Sequence, residues 1–122
     1  MAPDQSEGTG ARPSLLRLRE SLTVELEMTT TALVDIRRLR SDRLDDDEHD
    51  PEGTPLSAEW SRLEGLHRVA VQRVSGVDVA IANLDAGRYG TCLRCGQAIS
   101  PGRLEAQPTA TLCVTCAALI IR

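Results

Sequence analysis

All four cysteines of the chain lie in two Cys-x-x-Cys pairs, Cys92/Cys95 and Cys113/Cys116, separated by 17 residues. That spacing is the one expected of a four-thiolate zinc site. Each pair makes a short turn that presents two sulfurs to one ion, and Gly96 follows the first pair where a positive φ is cheap only for glycine. The sequence therefore predicts one structural Zn2+ held by Cys92, Cys95, Cys113 and Cys116. A redox-active pair would belong in a βαβ context, which the chain does not show. A disulfide framework would go with a secretory leader, and Met1-Ala2-Pro3-Asp4-Gln5-Ser6 lacks the charged and then hydrophobic pattern of one.

With 122 residues the chain has room for one compact unit, or for a small module with an extension. Trp60 and Tyr89 are the only aromatic residues, and without phenylalanine a thick globular core is out of reach. The apolar residues are mainly Leu, Val, Ala and Ile, which suit helix seams. No apolar run approaches the length of a membrane span, so a cytoplasmic protein without membrane association is expected. All fourteen basic residues are arginine, as a GC-rich genome would produce. Six of the eight residues from Asp45 to Glu52 are acidic, and without them the net charge of −4 would become +2. The acidity is local, and it argues against the whole molecule being a nucleic-acid binder. No nucleophile–base pair or phosphate-cradling loop is present, so the chain is not expected to be an enzyme.

Residues 1–12 are rich in Gly, Pro and polar groups and are expected to form a disordered tail. From Pro13 onward Leu15, Leu18, Leu22, Leu26, Thr29, Leu33 and Ile36 follow one another by three or four, which predicts one helical face reaching Leu39 or Leu44. Two consecutive steps of four, from Leu18 to Leu26, depart locally from strict heptads. The stretch Asp45-Asp46-Asp47-Glu48-His49-Asp50-Pro51-Glu52-Gly53 then stops the helix by like-charge repulsion and a proline. Thr54-Pro55 reads as the next helix start, a capping hydroxyl followed by proline at the first helical position.

The second helix carries Leu56, Trp60, Leu63, His67, Ala70, Val74, Val77, Ile81 and Leu84 in unbroken alternating steps of four and three, a heptad seam ending at Gly87. Two such stripes joined by a short connector favour an antiparallel hairpin, with arms of roughly 45 Å at about 1.5 Å per residue. The expected architecture is thus mainly α. A coiled-coil hairpin over 13–87, with an acidic tip at 45–54, is followed by a four-cysteine zinc-finger head over 88–122 that ends in a short helix from Cys113 toward Ile121. The head is too short to fold by core burial alone, and the metal is expected to supply much of its folding free energy. Ile99, Leu104, Ala106 and Leu112 are expected to pack over the site, with Pro101-Gly102 and Pro108 punctuating a loop.

Of the remaining candidates, His67 sits on the seam and reads as a polar residue that sets register. Trp60 reads as a packing anchor near the tip. A second metal site around His49 with Asp46, Asp47 and Asp50 lacks regular ligand spacing. An acidic run is ordinarily a solvated loop, but six carboxyl groups at the end of a long hairpin call for a receiver.

The segments Gly87-Arg88-Tyr89-Gly90-Thr91-Cys92-Leu93-Arg94-Cys95-Gly96-Gln97-Ala98-Ile99, Arg103-Leu104-Glu105-Ala106-Gln107-Pro108 and Cys113-Val114-Thr115-Cys116 resemble the DksA/TraR zinc-finger regulators of bacterial RNA polymerase. The likeness follows that family's GxYGxCxxCGxxI, RLxAxP and CxxC pattern. It implies a monomer whose head docks at the rim of the polymerase secondary channel while the hairpin enters it. The acidic tip residues Asp45, Asp46, Asp47, Asp50 and Glu52 would then face the active centre and modulate initiation, without sequence-specific DNA binding.

The tip departs from the family's Asp-x-x-Asp-x-Ala motif. Its nearest match, Asp47-Glu48-His49-Asp50-Pro51-Glu52, ends in Glu, and an ungapped alignment from the zinc end puts His49, Glu52 and Thr54 at the motif positions. Gly76, Gln107 and Ala117 stand where ppGpp-responsive members carry basic side chains, which implies a weak or absent ppGpp response. The stretch after Cys116 is also shorter than the family's carboxy-terminal helix. Two other readings stay open: a zinc-ribbon adaptor or DNA-binding module acting elsewhere, and a hairpin that pairs with a second copy. Residues 88–122 hold only four arginines and one glutamate, which does not favour the DNA reading.

Overall fold

Helix α1 spans Gln5–Asp46 and α2 spans Gly53–Asp85; two short helices follow, α3 over Pro101–Ala106 and α4 over Val114–Ile120. The structure is a computed structural model, and it describes the backbone of residues 5–46 and 53–120 and the side chains of residues 10–42 and 56–120. The chain divides into two units, one formed by Ser21–Val74 and the other by the residues up to Glu20 with those from Ser75 onward.

In the Ser21–Val74 unit the two helices run antiparallel and bury their predicted stripes. Leu22 and Ile36 of α1 and Leu63 and Ala70 of α2 are buried, while Leu26, Thr29, Leu33, Trp60, His67 and Val74 are half-buried around them. Cross-helix contacts fix the register. Glu25 meets Arg73 at 3.6 Å, Thr29 Oγ1 lies 3.1 Å from His67 Nδ1, and the guanidinium groups of Arg37 and Arg40 lie 5.4 and 6.0 Å from the Trp60 ring centroid. Trp60 therefore packs into the seam from one side and takes cation–π contacts from α1 on the other.

The Thr29 hydroxyl donates to the Leu26 carbonyl at 3.0 Å, which leaves its oxygen to accept from His67 Nδ1–H. This tautomer follows from the hydrogen-bond network. His67 is thus the seam's polar residue, with a partner supplied by a second seam position.

In the other unit Leu15, Val77 and Ala80 are buried where the amino-terminal part of α1 meets the last turns of α2. Arg19 Nε donates to Asp78 at 2.6 Å, and Arg12 pairs with Asp85. These exposed pairs contribute little stability individually, and their value is in the register they mark. α2 closes with both hydrogen bonds of a Schellman motif: Arg88 N–H donates to the Asn83 carbonyl at 2.8 Å and Gly87 N–H to that of Leu84 at 3.1 Å. Gly87 adopts φ +74, as its place after the seam predicted.

Three expectations are corrected. The disordered tail expected over 1–12 differs from Gln5 onward, because α1 begins there and holds Pro13 within it. Proline removes one N–H and crowds the preceding turn, but Arg12 on that turn has its partner in Asp85 and Leu15 is fully buried beyond it. On the α1 seam the last buried position among the described residues is Ile36; Leu39 is half exposed, and the Leu44 side chain lies outside the described residues. The Pro101-Gly102 stretch, read as loop, opens α3. Of the acidic tip, Asp47 to Glu52 lie outside the described residues, as does the His49 site. Among the described residues no helix is long and apolar enough to cross a membrane.

Two outcomes check this packing in urea denaturation. Leu15→Ala should cost about 2–5 kcal/mol, whereas Val24→Ala, on the outer face, should change stability by less than about 0.5 kcal/mol. Thr29→Val should cost about 1 kcal/mol by leaving His67 without its partner, and adding His67→Leu should recover most of that loss.

Candidate metal centre

The first cysteine pair sits on a tight reversal of the backbone. Cys92 N–H donates to the Gln97 carbonyl at 2.8 Å and Ile99 N–H to that of Gly90 at 2.7 Å, while Thr91 and Ala98 form an isolated antiparallel bridge. Within the turn Gly96 takes φ +76 and its N–H reaches the Cys92 carbonyl at 2.9 Å, a conformation that a side chain would strain. The second pair opens α4: Cys113 immediately precedes the helix and Cys116 lies in its first turn.

These elements bring the four Sγ atoms within 4.8 Å of one another. The Cys95 and Cys113 sulfurs are 3.8 Å apart. A tetrahedral Zn(S)4 centre with Zn–S of about 2.3 Å has sulfur–sulfur edges of about 3.8 Å. The donor set therefore fits zinc in both chemistry and spacing, and Cys92, Cys95, Cys113 and Cys116 would hold one structural ion with no open position.

The sulfurs have unequal surroundings. Cys92 and Cys116 are buried, Cys113 is half-buried and Cys95 is exposed. Backbone N–H groups, first that of Cys95 and then that of Cys113, lower the Cys92 thiol to about 6, while burial pushes Cys116 up to about 12. The fold thus favours the thiolate at Cys92, and a bound cation would have to displace the proton of Cys116.

Around the ligands the head has a core of Cys92, Ile99 and Cys116, packed by Leu104, Leu112 and Cys113. Ile99, Leu104 and Leu112 lie over the site as expected, whereas Ala106, at the end of α3, is exposed. Sequence reasoning missed α3. Ser100 caps it, its Oγ accepting from Arg103 N–H at 3.3 Å, and Pro101 takes the first helical position. It also missed two side chains that grip the loop before Cys113. Arg103 Nε donates to the Leu112 carbonyl and Tyr89 Oη to the Pro108 carbonyl, both at 2.8 Å. Among the tip candidates, Asp45 and Asp46 end α1 with side chains outside the description, and Asp47, Asp50 and Glu52 lie outside the described residues.

A helical hairpin with a four-cysteine zinc-finger head is the class of protein these elements define. The model of the prokaryotic dksA/traR C4-type zinc finger matches residues 87–120. The RNA polymerase-binding transcription factor DksA of Haemophilus influenzae is 42% identical over 43 residues, 35% of this chain and 30% of that protein. An uncharacterized protein of Aquifex aeolicus is 36% identical over 55 residues, 45% of this chain and 38% of that protein. These matches span well under half the length of the two relatives. The solved structure of transcription factor DksA2 from Pseudomonas aeruginosa superposes with a TM-score of 0.81 at 25% identity, covering 95% of this chain and 84% of that one. Residues 87–120 thus carry a zinc finger of the dksA/traR C4 type, and the chain as a whole is similar in fold to DksA2.

Zinc removal has a site-specific readout, because Tyr89 lies in the head and Trp60 in the Ser21–Val74 unit. Chelation should abolish the tyrosine near-ultraviolet signal while Trp60 fluorescence and most helicity persist. Acid acts in the same direction. A lowered Cys92 thiol holds the head together above its ordinary range, and this contribution is lost as pH falls through about 6. Zinc content after dialysis should therefore be full at neutral pH and fall on the acid side of that value.

Proposed function

We propose that this protein is a non-enzymatic regulator of bacterial transcription that binds RNA polymerase, with its hairpin in the secondary channel and its acidic tip modulating initiation. The observation that supports this most is the likeness to transcription factor DksA2 over 95% of the chain, which takes in the hairpin as well as the zinc head. The Haemophilus influenzae relative is by name an RNA polymerase-binding factor, and its similarity covers 43 residues.

On this reading the parts divide the work. The head makes the docking contact. Among its described residues Leu93, Val114, Leu119 and Ile120 are more than half exposed, and its charged side chains are Arg88, Arg94, Arg103 and Glu105. Such a surface suits a protein partner better than a phosphate backbone, which would call for a basic face. That observation favours docking on polymerase over the alternative of a DNA-binding ribbon. The tip, Asp45, Asp46, Asp47, Asp50 and Glu52, supplies the carboxylates that act near the active centre. Glu52 in place of the family's alanine alters the sign or size of that effect. Gly76, Gln107 and Ala117 offer no basic group to an alarmone, so the response to ppGpp is weak or absent. The protein acts in the cytoplasm as a monomer.

The test is in vitro transcription with zinc-loaded protein, alongside a polymerase pull-down. Asp47→Ala, Asp50→Ala and Glu52→Ala together should remove the effect on initiation while binding is retained, and ppGpp should change the wild-type effect by less than about twofold. Absence of any binding to polymerase would sink the proposal, and salt-sensitive DNA binding in its place would restore the ribbon reading.

A further inference from the structure

The segment from Gln107 to Leu112 must deliver Cys113 to the sulfurs of the first pair, yet it carries no charged side chain and little regular structure of its own. Its one internal bond is a turn in which Ala110 N–H donates to the Gln107 carbonyl at 3.0 Å. Its shape is otherwise held from outside, at three carbonyls. Tyr89 Oη donates to Pro108 at 2.8 Å, Leu93 N–H to Thr111 at 2.9 Å and Arg103 Nε to Leu112 at 2.8 Å. Leu93 lies between the two cysteines of the first pair, and Leu112 immediately precedes the first cysteine of the second. The root of Arg103 is itself fixed: its backbone N–H is capped by Ser100, and the adjoining Leu104 packs on the cluster of Cys92, Ile99 and Cys116.

We propose that Arg103 and Tyr89 are positioning residues of the zinc site, which hold the 108–112 segment by its carbonyls so that Cys113 and Cys116 meet Cys92 and Cys95. Neither residue offers an atom to the ion. Their effect is to shorten the search that the second pair must make, and so to slow the opening through which zinc leaves. Groups one step beyond the ligands commonly change metal affinity by about 10- to 100-fold. For Arg103 the contribution lies in the Nε bond rather than in the charge. Glutamine carries a donor nitrogen at the same number of bonds from Cα, whereas methionine keeps the apolar stem and has no donor. The inference concerns the metal site alone and does not depend on polymerase binding.

The experiment uses the full chain loaded with zinc and follows transfer of the metal to a colorimetric chelator. Circular dichroism and the absorption of the cobalt-substituted protein are recorded on the same samples. Arg103→Met and Tyr89→Phe should each release zinc about tenfold faster, Arg103→Gln should stay within about twofold of the native rate, and all three should keep the tetrathiolate cobalt band. Native release rates in both Arg103→Met and Tyr89→Phe would overturn the proposal. So would release from Arg103→Gln as fast as from Arg103→Met, which would assign the effect to charge. Loss of the tetrathiolate band in Tyr89→Phe or Arg103→Gln would assign these residues to the ligand set's folding and overturn it as well. Where Arg103→Met fails to fold, Tyr89→Phe decides: faster release supports the proposal and a native rate refutes it.

Discussion

The apolar stripes of α1 and α2 are about one side chain wide, and among the described residues they bury against each other. The pairing of α1 with α2 follows from that constraint. The chain lacks the aromatic bulk to build a thicker core, and the fully buried side chains of the helices, Leu15 and Val77, are modest in size. A narrow seam tolerates register error poorly, because a slip of a few residues would set polar side chains against leucines. Thr29 and His67 address this directly, since each is a polar seam residue whose partner is available in one alignment only. Each unit also has a flanking pair in water that marks its own register, Arg19 with Asp78 in one and Glu25 with Arg73 in the other.

The head solves the shortage of core differently. In it the ligands are the core: Cys92 and Cys116 are among its buried residues, with Ile99 beside them. Apolar burial on that scale falls well short of the cost of ordering more than thirty residues. The ion makes up the difference, and the fold is arranged so that it can. Backbone N–H groups converge on Cys92, while burial keeps Cys116 protonated until a cation displaces the proton. Zinc binding and loss of the Cys116 proton would thus be coupled, on a 107–112 segment whose path is held by the carbonyl bonds from Tyr89, Leu93 and Arg103.

Signals that repeat were legible in the sequence, and signals that occur once in space were not. The seam of α2 could be read from Leu56 to Leu84 because alternating steps of four and three recur often enough to exclude a strand, and every one of those residues is buried or half-buried. The two cysteine pairs and the glycines at 87 and 96 carried their geometry in residue type. α3 was missed because six residues hold too little periodicity, although Ser100-Pro101 is the kind of start read at Thr54-Pro55, where α2 in fact begins one residue earlier, at Gly53. The grip of Tyr89 and Arg103 was invisible for a deeper reason: its acceptors are backbone carbonyls, which every residue has, and only the folded chain selects Pro108 and Leu112. The early start of α1 escaped notice because Pro13 and the surrounding glycines argue locally for coil, while the partner that offsets them, Asp85, lies far away in sequence.

On the proposed reading, docking and effect rest on different physical forces. Leu93 and Val114, at the tips of the two cysteine turns, and Leu119 and Ile120 on α4 offer apolar area, which binds by leaving water and is insensitive to ionic strength. The connector offers carboxylates, whose influence is electrostatic and falls with screening. A chain built in this way can change what it does without changing where it binds. Replacing alanine by glutamate in the tip motif adds a charge to the connector sequence and leaves the zinc head, with its ligands and its apolar tips, as it was. In this chain the zinc head would then carry the binding and the acidic connector the effect.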